Sequence, residues 1–69
     1  MERVEINTEF IKLDQLLKWM GVADTGAFAK IIIKNGDVYV NGVQTVERGK
    51  KIKKGDIVEV VGVGKFEIV

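Results

Sequence analysis

The apolar residues of this chain change their spacing near Gly36, and that change limits the folds open to it. Four apolar residues upstream share one helical face: Leu13, Leu16, Leu17 and Met20. Downstream, Val38 and Val40 alternate with other residues, as expected for a half-buried strand. Helices followed by strands predict an α+β domain rather than a helical bundle or a β-sandwich.

Capping residues define the ends of two predicted helices. The first runs from Leu13 to Met20, and Gly21 ends it, because glycine readily adopts the left-handed conformation that closes a helix. Asp24 or Thr25 caps the second, which runs to about Lys34. The short connection predicts that the two helices pack together. The buried stripe of the second is expected at Ala29, Ile32 and Ile33.

The remaining segments read as strands and turns. Asn41-Gly42 between alternating apolar residues is a strong hairpin signal, because both residues tolerate positive φ. Val38, Val40 and Val43 are expected to point inward. Strands are predicted at 4–6, 57–61 and 66–69, with turns at Gly55-Asp56 and 62–64.

Composition excludes several classes of function. The 69 residues, 46% of them hydrophobic, predict one domain spanning 1–69. Without Cys or His there is no disulfide, no thiolate nucleophile and no imidazole base or metal ligand. The ten acidic residues are scattered singly and form no general acid/base pair. We therefore expect a protein that is not an enzyme and needs no cofactor.

Targeting and membrane signals are also missing from the sequence. The amino-terminal MERVEINTEF has no hydrophobic run of the signal-peptide type. No apolar segment approaches the ~20 residues needed to span a bilayer. The expectation is a cytoplasmic location with no membrane partner.

The segment 48–54, RGKKIKK, carries five of the eleven basic residues and no acidic one. Outside it the chain has six basic and ten acidic residues, a balance of −4. Two interpretations are open. Ile52 could hold a plain solvated loop to the core, or the cations could bind a polyanion, which would offset their mutual repulsion.

Further polar groups on the predicted helices could extend such a site. The outward face of the first helix is expected to carry Lys12, Gln15, Lys18 and Trp19. On the second, Lys30 and Lys34 share an exposed stripe, and Thr25-Gly26 could offer backbone N–H groups to a phosphate. Trp19 could either fold over the edge of the core or stack on an unpaired base.

Three segments in order, KLDQLLKWMGVADTGAFAK, IIIKNGDVYVNG and RGKKIKKGDIVEV, resemble the S4 RNA-binding domain. They are most similar to its small stand-alone bacterial proteins, the YaaA/YbcJ-like group, and the likeness covers residues 11–60. The resemblance implies an S4-like, αL-type fold with two packed helices against a small, mainly antiparallel sheet. It also implies binding of structured RNA, ribosomal in particular, and a role in ribosome assembly or translation.

The resemblance assigns RNA contacts by position to Lys12, Lys18, Thr25, Lys30, Arg48, Lys50, Lys51 and Lys53. With the neighbouring residues identified above, the predicted RNA-binding set also includes Gln15, Trp19, Gly26, Lys34 and Lys54. The chain departs from the family pattern at three places. Thr25-Gly26 replaces a frequent Ser-Arg, Glu47 stands where an arginine often begins the loop, and Phe28 replaces a polar residue.

Two other functions remain open from the sequence. Phe28 and Ile31 are predicted to point outward and could bind a protein partner, for example one associated with the ribosome. A DNA-binding helix-turn-helix would need base-reading side chains on its second helix, where residues 26–34 supply only Lys30 and Lys34. The protein is expected to be a monomer.

Overall fold

A computed structural model describes residues 1–69 and contains the predicted α+β order. It has two helices and seven strands. In chain order they are β1 Glu2–Val4, β2 Phe10–Lys12, α1 Leu13–Trp19, α2 Gly26–Lys34, β3 Val38–Val40, β4 Val43–Gln44, β5 Lys51–Lys53, β6 Ile57–Val60 and β7 Gly64–Ile68.

The strands form two separate sheets. The larger has five strands in the order β1-β7-β6-β3-β4. All its pairs are antiparallel except β1 with β7, which run parallel with Glu2 opposite Phe66 and Val4 opposite Ile68. The smaller sheet is a ribbon of β2 and β5 alone, paired antiparallel. Because β2 leads directly into α1, this ribbon packs against α1.

Helix α1 forms as its apolar spacing predicts. Leu13, Leu16 and Leu17 are completely buried. The helix ends with Met20 as its C-cap, and Gly21 follows at φ 79°, the left-handed conformation that glycine adopts without steric cost. The buried leucines fix the rotation of α1, and α1 packs against α2 and the β2–β5 ribbon.

Helix α2 is capped as predicted by Thr25, whose Oγ1 accepts a 3.0 Å hydrogen bond from the Phe28 N–H. Ala29 and Ile33 are completely buried, whereas Ile32 is only partly buried and packs at the margin of the core. The prediction of the buried stripe therefore holds for two of its three residues, and Ile32 lies at its edge.

One hydrophobic core joins the helices to both sheets. It contains fourteen buried residues: Ile6, Leu13, Leu16, Leu17, Ala23, Ala29, Ile33, Val38, Val40, Ile52, Val58, Val60, Phe66 and Ile68. Ile52 is the ribbon's fully buried member, as expected for a residue that anchors the basic segment. Burial of this kind is the main stabilising term in a domain of this size.

The predicted Asn41-Gly42 turn is present, with φ of 52° and 83° at the two residues. The prediction that Val43 points inward is wrong, since the residue is 66% exposed. Val43 pairs with Val40, but β4 is the outermost strand of the sheet and has a neighbour on one side only. Packing at the sheet edge leaves this valine in solvent.

Three predicted strands are present with shifted bounds. The first occupies Glu2–Val4 rather than 4–6, although Ile6 is buried and its N–H donates to the Val69 carbonyl at 2.9 Å. Strand β6 stops at Val60 because Val61 enters the turn and is 56% exposed. Strand β7 begins earlier than predicted, at Gly64.

No helix is long and apolar enough to cross a bilayer, and the longer of the two has nine residues.

Candidate nucleic-acid interface

The β2–β5 ribbon turns part of the basic segment into a strand with two distinct faces. Ile11 pairs with Ile52 on the side that faces the core. Because side chains alternate along a strand, the residues on either side of these two point outward and are exposed. The outward set is Phe10, Lys12, Lys51 and Lys53, which we call the ribbon face.

The ribbon corrects two sequence-based predictions. The segment 48–54 is not a simple loop, since Lys51–Lys53 is strand β5. Lys12 does not lie on the outward face of α1. It is the last residue of β2 and the N-cap residue of the helix, with extended backbone and no side-chain capping bond. Its charge therefore belongs to the ribbon face rather than to the helix.

Lys12 lies directly opposite Lys51 in this ribbon. Opposed like charges destabilise an antiparallel pair. The only two ion pairs in the protein, Arg3 with Glu67 and Lys53 with Asp56, involve neither lysine. Lys51 instead places its ammonium 4.8 Å from the centroid of the Phe10 ring, within the range of a cation–π contact. The ribbon face is thus locally cationic, and its opposed pair Lys12 and Lys51 has no carboxylate partner.

The start of α1 holds the rest of the basic segment in place. The Leu13 N–H donates to the Lys50 carbonyl at 2.9 Å, and the Asp14 N–H donates to the Arg48 carbonyl at 3.0 Å. The first N–H groups of a helix have no partner within it, so these bonds satisfy two of them. The backbone of 48–50 therefore lies against the first turn of α1, while the Arg48 and Lys50 side chains are exposed.

A tight turn at 53–56 fixes the other end of the segment. The Asp56 N–H donates to the Lys53 carbonyl at 3.1 Å, and Gly55 has φ 98°, the positive value that a type II turn needs at its third residue. Lys54 is exposed at the apex of this turn. An open depression beside it is lined by Asn7, Thr8, Glu9, Lys53 and Lys54.

The carboxylate of Asp56 is the polar centre of this turn. Only 8% of the residue is exposed. Its Oδ2 accepts from the Lys53 N–H at 2.9 Å, and its Oδ1 accepts from Asn41 Nδ2 at 3.1 Å. Burial acts to raise the pKa of Asp56, but these two hydrogen bonds and the charges of Lys53 and Lys50 outweigh it and hold the pKa below its ordinary value. The basic segment is therefore fastened by an ionised carboxylate.

On α1, the predicted residues Gln15, Lys18 and Trp19 are all exposed and lie away from the buried leucines. Trp19 does not fold over the edge of the core. The residue is 62% exposed, and its Nε1–H donates to the Glu5 carbonyl at 3.0 Å. This bond fixes the indole against the segment that precedes β2 while leaving much of the ring accessible.

On α2, Lys30 and Lys34 are exposed as predicted. Gly26 opens the helix, and no atom lies within 4 Å of the position a Cβ would occupy there, so the surface is open to a ligand. The neighbouring Thr25 hydroxyl already accepts the capping hydrogen bond. Phe28 and Ile31 are 50% and 55% exposed, as expected from the sequence.

The structure thus joins one group of the predicted residues directly. Strand pairing and hydrogen bonds to Leu13 and Asp14 hold the backbones of this group together: Lys12, Arg48, Lys50, Lys51 and Lys53. Lys54 follows Lys53 directly in the chain, at the turn. No hydrogen bond or ion pair links Lys18, Lys30 or Lys34 to this group. That Phe10 lies on this surface was not predicted from the sequence. The alternation from Glu9 to Lys12 was the available signal, but it is too short to identify a strand by itself.

No group of acidic residues could hold a metal ion. The exposed cations of the ribbon face and the basic segment are suited to bind anions. Phe10 adds an exposed aromatic surface among these cations.

Comparisons with known proteins agree with this architecture. Residues 4–69 match the family model described as the S4 domain. The chain is 39% identical over 66 residues to "Probable ribosome maturation protein RlbA" of Bacillus subtilis (strain 168), covering 96% of this chain and 93% of that protein.

A solved structure, the 30S ribosomal protein S4e from Thermoplasma acidophilum, superposes with a TM-score of 0.67 at 23% identity. The likeness covers 81% of this chain but only 30% of that one, so it shows a shared fold over part of a longer protein. The two packed helices and mainly antiparallel sheet are therefore S4-like, and the chain belongs to the S4 domain family.

Proposed function

We propose that this protein binds structured RNA, ribosomal RNA in particular, through the ribbon face and the basic segment 48–54, and that it acts in ribosome maturation. The observation that carries the proposal is the opposed pair Lys12 and Lys51, with no carboxylate within ion-pair distance of either lysine. Such a pair disfavours folding, and a bound phosphate would turn the repulsion into attraction.

The charge distribution supports the same proposal over a wider surface. Nine of the eleven basic residues form no ion pair, since Arg3 and Lys53 alone have a carboxylate partner. Unpaired cations held on a rigid backbone can neutralise phosphates without first breaking internal contacts, and counterion release then supplies much of the affinity. The hydrogen bonds from Leu13 and Asp14 provide that rigidity at 48–50.

The role in ribosome maturation rests on the Bacillus subtilis relative, whose name places it in that process. The likeness to S4e contributes the fold alone. In this proposal Lys18, Lys30 and Lys34 extend the phosphate-binding surface onto the helices, with Gln15, Thr25 and Gly26 beside them.

Binding to ribosomal RNA fragments over a range of salt concentrations tests the proposal. If about five phosphates are neutralised, the slope of log affinity against log salt should be roughly −3.5 to −4.5. A fourfold rise in salt would then weaken binding ~100- to 500-fold. Trp19, the only tryptophan, offers a second measurement, since a base that stacks on it would quench its fluorescence. An affinity that stays flat as salt rises would contradict the proposal.

A second function, binding of a ribosome-associated protein, is favoured by the exposure of Phe28 and Ile31. They lie one turn apart on α2 and are each at least half exposed. Changing both to Ser should abolish capture of such a partner from ribosomal fractions and leave RNA affinity intact. Loss of RNA affinity in the double variant, with no loss of partner, would exclude this function.

A further inference from the structure

Phe10 is an exposed aromatic residue surrounded by cations. The residue is 42% exposed and lies on the outward face of a three-residue strand. Lys53 lies directly opposite it, Lys51 lies diagonally opposite with its ammonium 4.8 Å from the ring centroid, and Lys12 follows two residues along the same face. Phe10 is absent from the fourteen-residue core, so core packing does not account for its aromatic ring.

From this arrangement we infer that Phe10 is a stacking platform for an unpaired nucleotide of the bound RNA, with Lys12, Lys51 and Lys53 holding the phosphates on either side of it. The inference rests on the proposed RNA binding and adds the class of nucleotide that the ribbon face recognises. It requires that the RNA have a bulge, loop or single-stranded end at this surface.

The geometry favours an unpaired nucleotide over a duplex. The flat faces of bases within a duplex are already covered by their neighbours, so an aromatic side chain can stack only on a base that has left the helix. Directly opposed residues of an antiparallel pair have Cβ atoms about 5 Å apart, and residues two apart along a strand lie about 7 Å apart. Phosphates that flank a base stacked on Phe10 would thus fall within reach of flexible lysine side chains.

The ammonium of Lys51 does not protect the ring from such a base. An exposed cation–π contact changes an equilibrium by about two- to fivefold. Stacking of a base on an aromatic side chain contributes about five- to 150-fold in affinity. The base therefore prevails over the contact with Lys51, and the displaced ammonium becomes free to bind the adjacent phosphate.

The test compares two RNA probes, a blunt-ended duplex and the same duplex with a single-stranded oligouridine extension. Binding of each is measured by fluorescence anisotropy at several salt concentrations. The parent protein should bind the extended probe more tightly. Phe10→Leu keeps an apolar side chain but removes the aromatic face, and it should weaken binding of the extended probe about five- to 150-fold without changing the salt slope.

Two further variants and a second measurement on Phe10→Leu make the result specific. Phe10→Tyr keeps the aromatic face and should bind both probes as the parent does. Phe10→Leu should leave affinity for the blunt duplex unchanged, which a general loss of structure would not do. Phe28→Leu removes another exposed aromatic ring, from a residue that is 50% exposed on α2, and serves as the matched control, with no expected effect on the preference between probes. Thermal unfolding of Phe10→Leu identifies any loss of stability directly.

Equal affinity of the parent for both probes would overturn the inference, as would an equal effect of Phe10→Leu and Phe28→Leu. In either case a steep salt dependence would leave the proposed RNA binding standing. If the parent binds neither probe nor ribosomal RNA fragments in a salt-dependent manner, the proposed function and the stacking site are both wrong.

Discussion

Asn41 and Asp56, fifteen residues apart in the sequence, are joined by a 3.1 Å hydrogen bond from Asn41 Nδ2 to Asp56 Oδ1. The Asn41 Oδ1 also accepts from the Ile57 N–H at 2.9 Å. One asparagine thereby connects the β3–β4 hairpin turn to the turn that ends the basic segment. The two turn motifs seen in the sequence, Asn-Gly and Gly-Asp, form one structural unit that positions Lys53 and Lys54.

Because the Asp56 carboxylate holds these two turns together, we expect the protein to lose stability in acid. The folded state holds the pKa of Asp56 below its ordinary value near 3.8. The contribution of the Asp56 carboxylate to the free energy of unfolding is therefore fully present above that pH. As pH falls through the lower, folded-state pKa, the carboxylate is protonated and the contribution is lost. Urea unfolding of the parent and of Asp56→Asn, measured from neutral pH to below pH 3.8, checks this.

Asp56→Asn should be less stable than the parent at neutral pH and should differ from it less in strong acid. A parent and variant whose difference in unfolding free energy is constant with pH would show that Asp56 does not carry this dependence. Lys53→Ala is the matched variant for the lysine charge. It keeps the Lys53 N–H bond and should have the smaller effect, because its ammonium is 3.9 Å away and largely solvated.

Removing lysine charges from the basic segment should lower RNA affinity without lowering stability. Changing Lys50, Lys51 and Lys53 together to Ala should weaken RNA binding and reduce the salt slope by roughly 2 to 2.7, since three phosphate contacts are lost. The unfolding free energy should change little, because the three side chains are exposed. Lys65→Ala, an exposed lysine on β7, is the control and should bind RNA as the parent does.

Truncation of Ile52 should instead lower the stability of the fold. It lies between these lysines in β5 and is fully buried, so Ile52→Ala should lower the unfolding free energy by about 2–5 kcal/mol. If the triple lysine variant retained full RNA affinity, the segment would be only a solvated surface. If Ile52→Ala unfolded at the parent's urea concentration, the ribbon would not be anchored as described.

Lys12→Glu should stabilise the protein while weakening RNA binding. A glutamate here would face Lys51 across the ribbon as an opposite charge and would lie at the positive end of α1. Together these effects should raise the unfolding free energy by about 0.5–2 kcal/mol, and RNA affinity should fall along with the salt slope. Lys12→Gln removes only the repulsion and should give an intermediate result for both. A Lys12→Glu protein less stable than the parent would contradict the opposed arrangement of the two lysines.

Thr25 should act first as a helix cap. Thr25→Ala removes the oxygen that accepts from the Phe28 N–H and should lower the unfolding free energy by about 1 kcal/mol. Thr25→Ser keeps the hydroxyl and should retain parent stability. If Thr25→Ala reduces RNA affinity when it is measured well below the unfolding temperature, the residue also contacts the RNA. An unchanged unfolding temperature in Thr25→Ala would exclude the capping role.

Features that depend on neighbours in the sequence were predictable. The leucine spacing and Gly21 identified α1, and Asn41-Gly42 identified the hairpin. The candidate caps Asp24 and Thr25 located the start of α2, where Thr25 is the N-cap. Each is a local preference that tertiary packing reinforces. The burial of Ile52 was also predictable, because it is the single apolar residue among the lysines of the basic segment and is therefore the one expected to pack in the core.

The ribbon face was not predictable in the same way. Strands β2 and β5 have three residues each and are about forty positions apart, so the pattern of either one is too short to identify it. Only their pairing places Lys12 opposite Lys51 and brings Phe10 next to the lysines of the ribbon face. The exposure of Val43 likewise depends on β4 being the outermost strand, which alternation cannot reveal.

The parallel pairing of β1 with β7 has a consequence for biosynthesis. Strand β7 lies between β1 and β6, and Ile68 within it is completely buried, so neither the sheet nor the core is complete until the residues around 68 have been made. A pairing that joins the first few residues to the last few also closes the longest loop available in the chain, which slows folding. During translation, strand β1 therefore has no partner until β7 has been made. The five-stranded sheet of each new molecule can then be completed only after β7 has been synthesised.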